Sequence, residues 1–214
     1  MKMKTLVIGT TSRVLDCSNH FLSSQKVQRL TANELFEFDQ IIFAAYSNEL
    51  DATHLRLVEI AHWLNLIWHK RLIFLSSDHV FAGIDGFYSV ADIPDPKSPY
   101  GVSKVEIENI LSRFCILRFT THGPSQTKKP LLLEIIKQTK NITLFPNQYF
   151  SPVSTIKINE FCKQEGKLPR LVHLSGPRIS KADLILSNIN NNFDYKFKYD
   201  YTKSDHSLIN EFRI

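Results

Sequence analysis

No run in this sequence approaches the roughly 18 apolar residues that a membrane span requires. Met1-Lys2-Met3-Lys4 is basic, but the apolar run behind it ends at Gly9. That is short of the roughly 7–15 residues of a signal-peptide core, so a cytoplasmic protein is expected. Cysteine is scarce: Cys17, Cys115 and Cys162 are far apart and odd in number. They read as free thiols in a reducing compartment and exclude a disulfide framework. There is no Cys-x-x-Cys pair and no His-Glu-x-x-His arrangement among the eight histidines, so no metal is expected. His62 and His69 stand two turns apart on a predicted helix and read as helix-face residues rather than ligands.

A long Lys/Arg block is also missing. The formal net charge of +5 is scattered, and Lys196-Phe197-Lys198-Tyr199 is the nearest approach to a basic-aromatic patch. Nucleic acid is therefore not the expected partner. A mildly basic surface suits an anionic small substrate such as a nucleotide. No internal repeat occurs, and Asn190-Asn191-Asn192 is the only low-complexity tract.

What is present is ordinary globular material: 214 residues, 43% hydrophobic and 22% charged. That composition can bury a real core in one large domain, or in one domain carrying a small lobe. Thr5-Leu6-Val7-Ile8 reads as a buried parallel strand. Polar Thr10-Thr11-Ser12 leads into a predicted helix. Further strands are predicted at Lys26–Leu30, Ile41–Ala45, Leu72–Leu75 and Cys115–Phe119. A long amphipathic helix lies between Leu55 and Trp68: Leu55, Val58, Ala61, His62 and Asn65 recur at helical spacing, with Leu57, Ile60, Leu64 and Trp68 beside them.

A turn-rich loop runs from Ala82 to Pro99, and Pro99 opens a helix from Tyr100 to Leu111. Helices are also predicted at Leu131–Gln138 and Ile156–Gln164, and a strand at Leu171–Leu174. Ser180 with Asp183 caps a last helix toward Ile189. The alternation of strands and helices predicts an α/β protein with a Rossmann-type, doubly wound parallel sheet and a small C-terminal substrate lobe. Residues 1–122 form the predicted core. Residues 123–214 form the reduced lobe, with roughly 150–175 returning to the core.

Tyr100-Gly101-Val102-Ser103-Lys104 places a phenol and an amine four residues apart, on one helix face. An ammonium beside a phenol favours the phenolate and lowers its pKa from the usual ~10. Such a tyrosine can give a proton to a carbonyl oxygen or take one from an alcohol. The spacing alone says little, because Tyr199 and Lys203 repeat it in a polar segment. Context separates the two copies. Ser76-Ser77-Asp78 closes a strand upstream of Tyr100, at the strand end where open parallel sheets bind ligands. A hydroxyl there can polarise a substrate carbonyl.

The run from Leu72 to Glu108 resembles the dTDP-4-dehydrorhamnose reductase family of extended short-chain dehydrogenases. The matching positions are Ser76-Ser77-Asp78-His79-Val80-Phe81, Gly83, Gly86, Tyr88, Asp92, Pro94, Pro96, Tyr100-Gly101-Val102-Ser103-Lys104 and Glu108. His79 stands where that family usually has tyrosine, and the sequence assigns it no role. Similarity continues more weakly through Leu117-Arg118, Gly123, Asn147-Gln148, Ser151-Pro152-Val153 and Leu171–Leu174. The resemblance implies a catalytic set of Ser77, Tyr100 as acid, and Lys104, which lowers the tyrosine pKa and holds the nicotinamide ribose. It implies an NADP or NAD cofactor held by Gly9, Thr11, Ser12, Arg13, Val14, Ala44, Ala45, Tyr100 and Lys104. It implies hydride transfer to the keto group of a nucleotide sugar, as reductase or epimerase, within polysaccharide synthesis. A homo-dimer or a partner enzyme is the expected assembly.

The sequence departs from the family's glycine-rich turn. In Gly9-Thr10-Thr11-Ser12-Arg13-Val14-Leu15 only the first glycine remains. Serine at the second place still offers donors to a pyrophosphate, whereas leucine at the third should push the following helix outward. Arg13 can pair with a phosphate. Arg29, at the end of the expected second strand, favours a 2′-phosphate and hence NADP. The links around the second and third strands and the C-terminal lobe are short for the family. A non-catalytic relative, serving as a binding or regulatory subunit, is the competing expectation.

Overall fold

The computed structural model describes residues 3–9, 14–15, 20–122, 141–188, 194–198 and 204–210. In chain order the elements are β1 (Thr5–Ile8), β2 (His20–Leu22), α1 (Ser24–Val27), α2 (Ala32–Phe36), β3 (Gln40–Phe43), α3 (Ala52–Ile67), β4 (Arg71–Leu75), α4 (Pro99–Ile110) and β5 (Cys115–Arg118). They continue with β6 (Asn141–Leu144), β7 (Gln148–Phe150), α5 (Thr155–Lys163), β8 (Leu171–His173), β9 (Ile179–Ser180), α6 (Lys181–Asn188), β10 (Asp194–Phe197) and β11 (Ser204–Asp205).

Six strands form one sheet in the order β2-β1-β3-β4-β5-β8. Every neighbouring pair is parallel. Strands of this sheet are buried on both faces, which is why they read as continuous apolar runs. Alternate side chains serve the two faces. Leu6, Ile8, Ile41, Phe43, Leu72 and Phe74 pack with Leu57, Ile60 and Leu64 of α3 and Ile107 of α4. Val7, Ile42, Ile73, Leu75, Leu117 and Val172 pack with Ile158 and Phe161 of α5. Each such side chain contributes about 1.5–3 kcal/mol by leaving water. The expected Rossmann-type sheet with helices on both faces is therefore present. From β1 the chain moves outward to β2, then returns across β1 to β3. This makes the carboxyl ends of β1 and β3 the switch point where such sheets bind ligands.

The second strand is not where periodicity put it. Lys26 and Val27 lie in α1, and the strand is His20–Leu22, paired with Leu6–Ile8. Ser23 caps the helix by accepting from the Lys26 amide. Val27 and Leu30 both reach the core, and their three-residue spacing is that of a helical turn rather than a strand. Arg29 consequently does not end a strand. The residues that follow β2 are Ser23 and Ser24. His69 likewise lies beyond the end of α3, off the helix face that carries His62.

Helix α3 begins at an Asp51 cap that accepts from the Thr53 and His54 amides. Its buried His54 joins it to α4, with Nδ1 2.8 Å from Ser103 Oγ and Nε2 2.9 Å from Glu106. Outside the main sheet, β6 pairs with β10, and β7 lies between β9 and β11. The predicted helices near Thr10 and at Leu131–Gln138, the Asn190–Asn192 tract and the Tyr199–Lys203 pair lie outside the described residues. Among the described residues no helix is long and apolar enough to cross a membrane.

Candidate active site

Three strand ends, of β3, β4 and β5, and one helix start meet at the switch side of the sheet. They enclose a cavity of about 340 Å³ whose walls include Val14, Ala44, Tyr46, Ser77, Tyr100 and Lys104. Ser77 leaves β4 in extended backbone and is buried. Its hydroxyl donates to Asp78 Oδ1 at 2.9 Å and accepts from the His79 amide at 3.2 Å. Tyr100 stands on the first turn of α4, which Ser98 caps and Pro99 starts. Gly101 lets that turn press on the strand end: a Cβ there would lie 2.2 Å from the His79 carbonyl oxygen. The Tyr100 ring is held edge-on by Tyr46 at 5.9 Å and His79 at 5.8 Å.

Lys104 follows one turn later and is 3% exposed. Its Nζ donates to the Leu75 carbonyl at 2.7 Å and reaches the Ala45 carbonyl at 3.5 Å. It also lies 4.7 Å from the Phe74 ring centre and 5.7 Å from that of Tyr100. Burial pushes the amine down from 10.5 to about 7, against the opposing pull of Glu108. Between pH 7 and 10.5 the unfolded chain then binds more protons at this lysine than the folded one. Stability should rise with pH over that window. Denaturant midpoints at pH 7 and 9 test this: the higher value is expected at pH 9, and Lys104→Met should flatten the slope. A flat wild-type profile would refute the buried-amine assignment.

Structure thus brings Ser77, Tyr100 and Lys104 to one cavity, together with Val14 and Ala44. Ala45 meets Lys104 through its carbonyl. Gly9, at the end of β1, packs against the chain after β3 with φ +128°, where a Cβ would stand 2.9 Å from the Ala45 amide nitrogen. Thr11, Ser12 and Arg13 lie outside the described residues. Leu15, in the third glycine's place, is buried in the core beneath α5. Asn159 of α5 donates to the Val14 carbonyl at 2.6 Å beside it.

Sequence reasoning passed over several wall residues, namely Tyr46, Asn48, His79, Phe119, Thr120 and Thr121. The signal available was position, since all follow the carboxyl ends of β3, β4 or β5. It also missed a buried network beneath the site. Glu108 accepts from the Ser76 hydroxyl. It also forms a two-armed ion pair with Arg118, at 3.0 Å from Nε and 2.6 Å from the terminal nitrogen. Arg118 continues to His173 Nε2 at 3.4 Å, and His173 Nδ1 lies 3.1 Å from the Tyr88 carbonyl. Burial, aided by Arg118, pushes His173 down to about 4. The neutral ring therefore donates from Nδ1 to Tyr88 and accepts at Nε2 from Arg118.

A family model described as the RmlD substrate binding domain matches residues 55–176, more than half of the chain. The chain belongs to this family. No curated protein matches the sequence. Solved structures do match this family member, at identities that establish the fold alone. A dTDP-4-dehydrorhamnose reductase from Bacillus anthracis, solved with NADP, superposes at a TM-score of 0.70 and 15% identity, covering 99% of this chain and 92% of that one. A hypothetical dTDP-4-dehydrorhamnose reductase from Sulfolobus tokodaii gives 0.70 at 21% identity, covering 96% and 92%. A UDP-glucuronic acid 4-epimerase variant from Bacillus cereus, solved with a fluorinated UDP-sugar and NAD, gives 0.71 at 14%, covering 98% and 90%. Among the described residues no cluster of three or more His, Cys, Asp or Glu is arranged to hold a metal ion.

Proposed function

We propose that the protein is an NAD(P)-dependent reductase or epimerase acting on the keto group of a nucleotide-linked sugar. The observation that carries this is the convergence of Ser77, Tyr100 and Lys104 on one cavity at the switch point of the sheet. The residues present fit a dinucleotide. Gly9 adopts the left-handed backbone and close approach to β3 that a phosphate turn after β1 needs, and Ala44 and Ala45 keep the adjoining wall small. No carboxylate follows β2, where Leu22-Ser23-Ser24 stand in place of the acid that grips a ribose 2′-hydroxyl. This supports NADP over NAD on different residues from Arg29.

When bound, the nicotinamide supplies or accepts the hydride. Tyr100 supplies the proton: it stands on the cavity wall with Ser77 and Lys104, whose protonated form favours a phenolate. Ser77 exchanges its bond to Asp78 for one to the substrate oxygen and so polarises it. Lys104, in its protonated form, balances charge 5.7 Å from the phenol ring.

Calorimetric titration of the purified chain with NADPH and NADH tests the reading. NADPH is expected to bind at micromolar level and NADH more weakly, since no carboxylate after β2 grips its ribose hydroxyl. Absence of heat from either at millimolar concentration would overturn it. That result would favour the non-catalytic reading. Its support is that Ser77 and Lys104 already spend donors on Asp78 and Leu75.

A further inference from the structure

We propose that His79, backed by His206, is the residue that reads the sugar hydroxyls next to the reacting carbon. The inference rests on the nucleotide-sugar reading above and assigns the recognition of its hexose. His79 is an exposed ring on the cavity wall, two residues beyond Ser77. It meets the Tyr100 ring edge-on at 5.8 Å. A hexose whose reacting carbon sits at the Tyr100 hydroxyl presents its neighbouring hydroxyls one or two bonds away. Of the two rings packed edge-on against Tyr100, Tyr46 and His79, it is His79 that lies on the side where the C-terminal segment, through His206, meets the wall.

His206 fixes the direction of that ring. The two imidazoles stack at 4.8 Å with 26° between their planes. His206 is itself anchored, because its amide donates to the Tyr149 carbonyl at 2.9 Å. The Asp205 amide beside it donates to the Gly83 carbonyl at 2.7 Å. Its ring lies so close over Gly83 that a Cβ there would sit 2.1 Å from Nε2. Burial lowers the His206 pKa, opposed by Asp78 and aided by the adjacent His79 ring. Stacking occupies a face of the His79 ring. The edge, where both nitrogens lie, is left to donate and accept. The C-terminal segment thereby sets the geometry of a residue in the cavity wall.

The test uses the full chain and calorimetry with dTDP-glucose, UDP-glucose and the corresponding nucleoside diphosphates. His79→Phe keeps the ring stack and the contact with Tyr100 but removes both nitrogens. It is expected to weaken the better-binding nucleotide sugar about three- to ten-fold, the value of one or two neutral hydrogen bonds. The matching nucleoside diphosphate should keep its affinity within two-fold, and the melting temperature should be unchanged. His79→Gln should recover part of the loss, and His206→Ala should reproduce part of it by freeing the ring. Equal affinity of wild type and His79→Phe for the nucleotide sugar would overturn the inference alone. Equal loss for the sugar and its diphosphate would overturn it in favour of a phosphate contact. Failure of wild type to bind any of the four ligands would overturn this inference and the proposed function together.

Discussion

Tyr100→Phe should lower kcat by about 10²–10⁴-fold, the usual worth of a positioned proton donor. The phenyl ring keeps its edge contacts with Tyr46 and His79. Lys104 keeps its bond to the Leu75 carbonyl. Affinity for NADPH and the melting temperature should therefore stay near wild type. Steady-state oxidation of NADPH with a 4-keto nucleotide sugar gives the rate, and calorimetry gives the affinity. Turnover unchanged by the substitution would remove Tyr100 from the chemistry. A parallel loss of cofactor binding would make its role architectural.

The second large effect is on stability. Glu108→Ala should destabilise the fold by about 3–5 kcal/mol, because it strands Arg118 as an unpaired charge at 4% exposure. The melting temperature should drop by roughly 6–20 °C for a chain of this size. Removing a buried partner costs more than the pair is worth, so a compensating change is informative. The double variant Glu108→Ala, Arg118→Met should recover much of the loss, since the uncompensated charge is gone. Differential scanning calorimetry of the two single variants and the double variant decides the matter. If the double variant is no more stable than Glu108→Ala, the cost lies in packing rather than in charge. The location matters for function too. Glu108 ties α4, which carries Tyr100 and Lys104, to Ser76 at the end of β4 and to β5 through Arg118. Loosening it shifts the helix relative to the strand end that carries Ser77.

Parts of this protein are legible one residue at a time. The strands at Thr5, Ile41, Leu72, Cys115 and Leu171 were readable because a doubly covered strand must be apolar throughout. The start of α4 was readable because Ser98 and Pro99 are chemically suited to one place on a helix. Tyr100 and Lys104 were readable because a helix puts residues four apart on one face. The strand at His20 was not. Three residues are too few to show a period, and the Val27–Leu30 spacing served the core from a helical turn instead. The Arg29 argument for NADP was lost with it, since the residue following a strand can be named only once the strand is placed.

The sequence by itself determined the alternating strand–helix fold and the Tyr100–Lys104 pair, because both follow from local periodicity and capping. Tertiary structure alone decided what surrounds them. Glu108, Arg118 and His173 meet only when α4, β5 and β8 are stacked, and no spacing along the chain encodes that. Ser77 proved to be hydrogen-bonded to Asp78, and Lys104 to be buried on the Leu75 carbonyl, through packing at the end of β4. His206 reaches His79 because the chain returns, 127 positions later, to the loop after β4. Burial then sets the chemistry of these groups. The low dielectric that moves Lys104 to about 7 and His173 to about 4 belongs to the folded interior and to no residue alone.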